Sequence, residues 1–442
     1  RLILICTTFL MMFVSSASAA QKITLADVTG SKFAPKVVSG INPIEGTDTY
    51  ARISDDGKRI VTYSFKTGRE LSVLFDVNNT MGEKISSFDG YTMSPDGTRL
   101  LIQTKTNYIY RRSYTAVHYI YTIASRKLER LSDGGPQQVP TWSSDGQQVA
   151  FVREGNIFLV KLLYDNAEIQ VTKDGKFNEV INGIPDWVNE EEFGFNRALT
   201  FNADGTMLCW IRYDESKVKT YSLQMYKGMR PEHSEYTDYP GFYSYKYPKA
   251  GQDNSVVTAW SYDIKSRKIN RLNVPIDADG YMPRIKSTVD PNRIVVYTMN
   301  RHQDQLCLYA VNPRTTIAQL LIKESVPKYV QESAVEAIKF VGNNIILPSD
   351  RSGYMNLYIY NMNGHLQRTI GGKFDITEVY GYDAKTGDVY YQAAALAPTD
   401  RQVYVNHKNG KTERLTDAEG WNSALFSGDF QYFINTWSDY NT

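Results

Sequence analysis

Three consecutive carboxylates, Glu190, Glu191 and Glu192, are the densest group of chemically capable side chains in the sequence. They lie in the stretch DWVNEEEF, residues 186–193. Because asparagine and glutamate are poor strand formers, we predict a short helical turn that Asp186 caps. Two ionised acids held together repel, and one takes up a proton unless a cation lies between them. The pattern therefore has two interpretations: a binding site for a positive group, or a solvated acidic turn.

The rest of the sequence lacks the patterns of a complete catalytic or metal site. It has no G-x-S-x-G nucleophile elbow, no H-E-x-x-H and no glycine-rich phosphate loop between a strand and a helix. The five histidines, at positions 118, 233, 302, 365 and 407, do not have the spacing of metal ligands. We therefore expect no catalytic residue, no metal and no cofactor in this chain, and no covalent chemistry by the chain alone.

Charge and composition narrow the class of protein. The 442 residues include 49 Lys and Arg against 48 Asp and Glu, a formal net charge of +1. A general nucleic-acid binder needs a basic excess to neutralise phosphates, so we exclude nucleic acid as a partner. Aromatic residues make up 13% of the chain, with 32 tyrosines, which favours β-structure. Cys209 and Cys307 lie in apolar runs, and we expect two buried free thiols.

The first twenty residues, RLILICTTFLMMFVSSASAA, have the features of a secretory signal peptide. Arg1 is a positive flank, residues 2–14 are apolar, and Ala17-Ser18-Ala19 is a small-residue cleavage pattern. We predict a signal peptide over residues 1–20, a lead-in segment over 21–40, and export to a periplasm or the cell exterior. A retained membrane anchor is the alternative, although the apolar run is short for a membrane span.

A polar turn followed by an apolar strand recurs along the chain. The clearest copies are SDDG, SPDG, SSDG and NADG, at residues 54–57, 94–97, 143–146 and 202–205, and weaker copies extend to 427–429. A spacing of roughly 40–60 residues is typical of propeller blades. A second repeat, SRKLERL at 125–131, returns at 266–272 and 409–415 and is interpreted as the outer strand that closes a blade.

These repeats predict an all-β fold for residues 41–442: a β-propeller of four-stranded blades. We favour eight blades and allow seven, and an array of β-sandwiches is the alternative. The period is too long in two places, before and after residues 202–205. The additional residues in the first place include DWVNEEEF, and those in the second place include residues 228–251. Long insertions on a rigid repeat scaffold often carry binding surfaces.

The neighbours of the acidic triplet resemble a known family. NGIPDWVNEEEFGF, residues 182–195, resembles the signature of the dipeptidyl peptidase IV family in the prolyl oligopeptidase clan of serine peptidases. YRRSYTA at 110–116, YPKAG at 247–251 and SDRSGY at 349–354 resemble further segments of that family, in the same order. The similarity runs from about residue 40 to the end of the chain, and we expect the bacterial type.

The resemblance implies a division of labour between two domains. The family's N-terminal propeller gates access and recognises the free N terminus of a peptide. Its C-terminal α/β-hydrolase domain, absent from this chain, carries a Ser-Asp-His triad. By motif position, Glu191 and Glu192 are implied to bind the α-ammonium group, and Arg111 to bind a substrate carbonyl and orient the acids. Glu190 is not expected to contact substrate.

The implied activity is the release of N-terminal dipeptides by the full-length protein. The implied partners are peptides with a free N terminus and the chain's own hydrolase domain, and the resemblance also allows a homodimer. Two residues depart from the family pattern: Asn189 stands where a tyrosine is usual, and Arg112 where a histidine is usual. The alternative function is a non-catalytic propeller that binds proteins or peptides in a periplasm.

Overall fold

The computed structural model describes residues 22–34, 39–164, 166–226 and 239–440. The chain divides into two compact units, residues 1–40 and 41–442. In the first unit, helix α1 (Leu25–Thr29) begins at a capping box in which Thr24 and Asp27 exchange hydrogen bonds. The predicted signal peptide lies outside the described residues.

The second unit consists of successive small sheets, which we number as blades in chain order. Blades 1 to 3 contain β1 (Asn42–Pro43), β2 (Thr49–Ile53), β3 (Arg59–Ser64), β4 (Glu70–Asp76); β5 (Met81–Gly82), β6 (Gly90–Met93), β7 (Arg99–Tyr108), β8 (Tyr114–Thr122), β9 (Lys127–Arg130); β10 (Gln138–Trp142), β11 (Gln148–Arg153), β12 (Asn156–Lys161) and β13 (Ala167–Gln170). In blade 2, β5 pairs in parallel with β9. Two 3-10 turns, Val77–Asn79 and Leu162–Tyr164, follow β4 and β12.

Blade 4 carries both long insertions. It contains β14 (Val180–Asn182), β15 (Leu199–Phe201), β16 (Met207–Asp214), β19 (Val256–Asp263) and β20 (Ile269–Arg271). Helix α2 (Trp187–Phe193) lies between β14 and β15, and a separate hairpin of β17 (Thr220–Met225) and β18 (Gly241–Lys246) lies between β16 and β19. The predicted helical insertion with the acidic triplet is therefore confirmed.

The remaining strands complete the propeller. Blades 5 to 7 contain β21 (Ile285–Ser287), β22 (Ile294–Met299), β23 (Gln305–Val311), β24 (Ala318–Ser325); β25 (Lys339–Val341), β26 (Asn344–Ser349), β27 (Asn356–Asn361), β28 (Leu366–Ile370); β29 (Ile376–Tyr382), β30 (Val389–Ala393), β31 (Gln402–Asn406) and β32 (Thr412–Arg414). Helix α3 (Glu332–Glu336) precedes blade 6. The all-β propeller prediction is confirmed with seven blades, the smaller of the two numbers allowed.

A final hairpin, β33 (Trp421–Phe426) and β34 (Phe433–Ser438), forms a sheet of two strands. It packs against blade 7, where the Phe426 ring lies 4.8 Å from that of Tyr390. Its turn bonds to blade 1, since the Gly46 N–H donates to the Gly428 carbonyl at 3.1 Å and the Asp429 N–H to the Thr47 carbonyl at 3.1 Å. The hairpin therefore connects the seventh blade to the first.

The repeated polar turns have one local chemistry. In the copies that begin at Ser54, Ser94 and Ser143, the serine hydroxyl donates to the aspartate two residues later at 2.5 Å. The glycine that follows takes a left-handed conformation, with φ between 67° and 70°, which costs glycine little. The hairpin β33–β34 uses the same serine–aspartate bond at Ser427. Each turn reverses the chain between two neighbouring antiparallel strands of its sheet.

The core lies between the faces of neighbouring sheets. Phe75 of blade 1 packs on Tyr121 of blade 2, with ring centroids 4.9 Å apart. All six residues of β22 are buried, because sheets cover both of its faces. Cys209 in β16 is buried as expected, whereas Cys307 in β23 is only half-buried because it faces the more open side of its strand. Among the described residues, no helix has the length and apolarity to cross a membrane.

Candidate functional site

Helix α2 begins at the predicted cap. One carboxylate oxygen of Asp186 accepts hydrogen bonds from the Asn189 backbone N–H at 2.9 Å and from its side-chain amide at 2.8 Å. The Ser255 hydroxyl donates to the other oxygen. Burial raises the pKa of Asp186, and these three hydrogen bonds act in the opposite direction. Asn189, a departure from the family pattern, thus serves the cap and lies buried.

The C-terminal end of α2 is also held by hydrogen bonds. Gly194 is left-handed, with φ of 68°, and its N–H donates to the Glu190 carbonyl at 3.1 Å. The Arg284 guanidinium donates to the Phe193 carbonyl at 2.6 Å and lies 4.6 Å from the Phe195 ring. Partners at both ends satisfy backbone groups that a short helix leaves unpaired.

Glu190 is buried, with 2% of its surface exposed. One of its carboxylate oxygens accepts hydrogen bonds from two consecutive backbone groups, the N–H of Arg112 at 2.9 Å and that of Ser113 at 2.8 Å. These residues belong to the loop between β7 and β8, which also carries Arg111. Glu190 therefore ties that loop of blade 2 to helix α2 of blade 4.

Arg111 and Glu191 form a bidentate ion pair. The Arg111 Nη2 lies 2.8 Å from one carboxylate oxygen of Glu191, and its Nε donates to the other at 3.2 Å. Arg112 approaches the same carboxylate at 4.0 Å. The Arg111 side chain is 71% exposed, so the ion pair faces solvent. Its two hydrogen bonds fix the orientation of the guanidinium group relative to the carboxylate. Two of the three predicted binding residues are thus brought into direct contact.

Glu192 is exposed and, within the part of the chain that the structure describes, forms no ion pair. Its negative charge acts on the carboxyl group of Glu332 in α3. The pKa of Glu332 is raised by burial and by the charges of Glu336 and Glu192, while Arg112 and Arg284 lower it. Sequence reasoning missed Glu332, because it lies in no repeat and in no motif. The candidate site is therefore an acidic surface with one neutralised carboxylate and one free for a cation.

The segment YPKAG lies against the same helix. Tyr247 packs on Trp187 with ring centroids 4.4 Å apart, and Tyr221 lies 5.4 Å from Tyr247. Tyr245 of β18 lies 5.9 Å from Trp187. Two motifs that are 60 residues apart in the sequence therefore share one aromatic cluster beside the acids. In the described residues, no group of three His, Cys, Asp or Glu side chains is placed to hold a metal ion.

Comparisons with known proteins find relatives over most of the chain. The chain is 26% identical over 462 residues to dipeptidyl-aminopeptidase B of Aspergillus niger, covering 95% of this chain and 50% of that protein. It is 29% identical over 385 residues to a probable dipeptidyl-aminopeptidase B of Penicillium rubens, covering 77% of this chain and 41% of that one. The chain thus spans about half the length of the curated relatives it matches.

A bacterial structure is similar over most of the chain. The crystal structure of Porphyromonas gingivalis dipeptidyl peptidase 4 superposes with a TM-score of 0.89 at 35% identity, covering 94% of this chain and 58% of that one. This similarity supports the predicted bacterial type. The family model for the dipeptidyl peptidase IV (DPP IV) N-terminal region matches residues 94–442, and the chain belongs to this family.

Proposed function

We propose that the chain is the substrate-gating, N-terminus-recognising propeller of an exported serine-type dipeptidyl peptidase. In this proposal, Glu191 and Glu192 bind the α-ammonium group of a peptide, and Arg111 orients the acids and binds a substrate carbonyl. The Ser-Asp-His triad lies on a C-terminal α/β-hydrolase domain of the full-length protein. Membership of the family and the names of the relatives support the activity.

The observation that carries the proposal is the Arg111–Glu191 pair beside Glu192, which has no ion-pair partner among the described residues. An α-amino group has a pKa near 8, so it is mostly cationic at neutral pH. An ammonium group that binds between the two glutamates forms charge-assisted hydrogen bonds and offsets their repulsion. Arg111 holds Glu191 in one orientation, which reduces the entropy lost on binding.

Such an anchor also sets the length of the product. An extended residue spans about 3.3–3.6 Å, so a fixed distance between the anchor and a nucleophile counts residues. With two residues between them, the peptidase releases dipeptides. The propeller thus contributes by positioning, in which binding energy away from the scissile bond orients it for attack.

The test is to replace each acid in the full-length protein. We expect Glu191→Gln and Glu192→Gln each to lower kcat/KM for a chromogenic dipeptide substrate by about 10- to 100-fold, the value of a hydrogen bond to a charged group. Glu70→Gln, at an exposed position in β4, is the matched control and should retain full activity. An N-acetylated substrate, which lacks the cation, should be cleaved poorly by all of the proteins.

Two outcomes would reject the proposal in different ways. Near-normal kcat/KM in both variants would remove the acids from substrate binding while leaving the peptidase activity. No peptidase activity in the full-length protein would favour the alternative, a non-catalytic propeller that binds proteins or peptides. Export is tested separately, by N-terminal sequencing of the mature protein, which should begin close to residue 21.

A further inference from the structure

A cavity of about 320 Å³ lies beside α2 and the loop between β7 and β8. Aromatic and aliphatic side chains form much of its wall, among them Ile109, Tyr110, Ile184 and Trp187. None of Arg111, Glu191 and Glu192 lines it, so it is distinct from the candidate peptide site. Its size is at the lower end of the range for small-molecule sites.

Two polar groups in the wall have unused bonding capacity. Glu215 is 5% exposed, and no described residue donates a hydrogen bond to its carboxylate. Ser113 is 8% exposed, and its buried hydroxyl has no partner among the described residues. Lys246 also lines the cavity, but its ammonium donates to the Val218 carbonyl at 2.6 Å and the Ser216 carbonyl at 3.3 Å. An unpartnered buried polar group is costly unless something pairs with it.

The charges around Glu215 determine its protonation. Burial raises the pKa of Glu215 to about 8, the negative charges of Asp186 and Asp214 act in the same direction, and Lys246 opposes them. The pKa of Tyr110, whose ring lines the same wall, is raised by burial and by the nearby Tyr243, Glu215 and Glu190. Glu215 is therefore mostly protonated at pH 7, and a cation inside the cavity would favour its ionised form.

The acidic and aromatic side chains that line the cavity favour one class of ligand. Glu215, Asp186 and Glu190 all line the cavity, and ionised acids repel an anion. A neutral polar ligand can hydrogen-bond to Glu215, but only a cation also gains the Coulombic attraction of the ionised carboxylate. A cation with an apolar body fits both parts, because aromatic faces attract cations and apolar surfaces bury hydrocarbon.

We propose that this cavity binds a small primary amine with an aromatic body. Its ammonium group donates to the Glu215 carboxylate, and its ring packs against Tyr110 and Trp187. This is a second ligand site, which takes a free amine rather than a peptide that continues toward a nucleophile.

Isothermal titration calorimetry of the full-length protein with phenethylamine tests the proposal. At pH 7, binding should release close to one proton per ligand, measured by repeating the titration in buffers of different ionisation enthalpy. Since Glu215 is largely ionised at pH 9 and an alkylammonium stays mostly charged there, the apparent Kd should be about tenfold lower than at pH 7. Phenethyl alcohol, the neutral analogue, should bind at least tenfold more weakly.

Variants separate this site from the peptide site. Glu215→Gln preserves shape and removes the charge, so it should abolish phenethylamine binding, whereas the double variant Glu191→Gln/Glu192→Gln should keep both the binding and the proton release. Binding that survives Glu215→Gln, or that is lost only in the double variant, would overturn the proposal. If Glu215→Gln does not fold, the proton release of the unmodified protein decides, and its absence counts against a site at Glu215.

Discussion

At the scale of residues, three identical neighbours occupy three different environments. Successive helix positions differ by about 100° around the axis, so consecutive side chains cannot share a setting. Glu190 is buried against backbone N–H groups, Glu191 pairs with Arg111, and Glu192 remains exposed. One acid is therefore structural, one is held in place, and one is free to bind.

Replacing Glu190 by alanine should damage both stability and substrate binding. The change leaves the backbone N–H groups of Arg112 and Ser113 without their acceptor, which we expect to lower the free energy of unfolding by about 2–4 kcal/mol. The loop that carries Arg111 loses its tie to α2, so KM for a dipeptide substrate should rise. Denaturant unfolding and steady-state kinetics measure the two effects.

Glu190→Gln is the matched control, because its amide oxygen can still accept the same two hydrogen bonds. It should lose less than half as much stability as Glu190→Ala. If alanine and glutamine variants unfold alike and both match the parent, the acid does not anchor the loop.

The sequence predicts candidate binding residues only where a motif identifies them. Glu191, Glu192 and Arg111 were reached through their likeness to family segments, and the structure places Arg111 on Glu191. Nothing in the sequence identifies Glu215 or Glu332, because the burial of Glu215 and the charged surroundings of Glu332 depend on residues distant in the chain. No local pattern distinguishes a buried acid from an exposed one.

At the scale of elements, α2 shows how a weak helix is stabilised by its surroundings. Seven residues are too few for a stable isolated helix, since nucleation is unfavourable. Its first turn bonds to Asp186, which accepts a hydrogen bond from Ser255 just before β19. Arg284, just before β21 of blade 5, bonds to its last turn. The sequence predicted the helix and its cap because both are local, whereas the supports from Ser255 and Arg284 are long-range.

A change at Gly194 should affect binding more than a matched change elsewhere. An added Cβ at Gly194 would lie 2.9 Å from a carboxylate oxygen of Glu332, so that flexible side chain must move. We expect Gly194→Ala to lose about 1–2 kcal/mol of stability from its left-handed backbone and also to raise KM. Thermal unfolding and peptidase kinetics give the two readouts.

Gly57 provides the comparison, since it has the same φ of 68° and open space around its Cβ position. Gly57→Ala should lose similar stability while KM stays unchanged. An equal rise of KM in both variants would show that the effect of Gly194 does not come from Glu332.

At the scale of the whole molecule, the number of blades depends on the last turn. The sequence predicts eight blades in preference to seven, and Ser427-Gly428-Asp429 is the last of its polar turns. That turn does form, with the expected serine–aspartate bond, but its sheet has two strands rather than four. The repeated sequence therefore predicts a turn and the two strands that flank it. It does not predict whether further strands follow to complete a sheet of four.

The hairpin's attachment to blade 7 should be important for the stability of the unit. Phe426 is 8% exposed and contacts Tyr390 and Tyr380, so Phe426→Ala should cost about 3 kcal/mol and lower the midpoint of thermal unfolding. Phe433, on the neighbouring strand, is half-buried, and Phe433→Ala should cost clearly less. Equal losses would mean that the hairpin does not depend on blade 7.

The Arg111–Glu191 ion pair joins two blades that are not consecutive in the chain. Arg111 comes from blade 2 and Glu191 from the insertion in blade 4, so blade 3 lies between the two in chain order. A ligand that needs both residues can bind only while these blades keep their relative positions. Ligand binding is therefore linked to the folding of three successive blades. A ligand that binds only when the three blades are folded stabilises that folded arrangement by mass action.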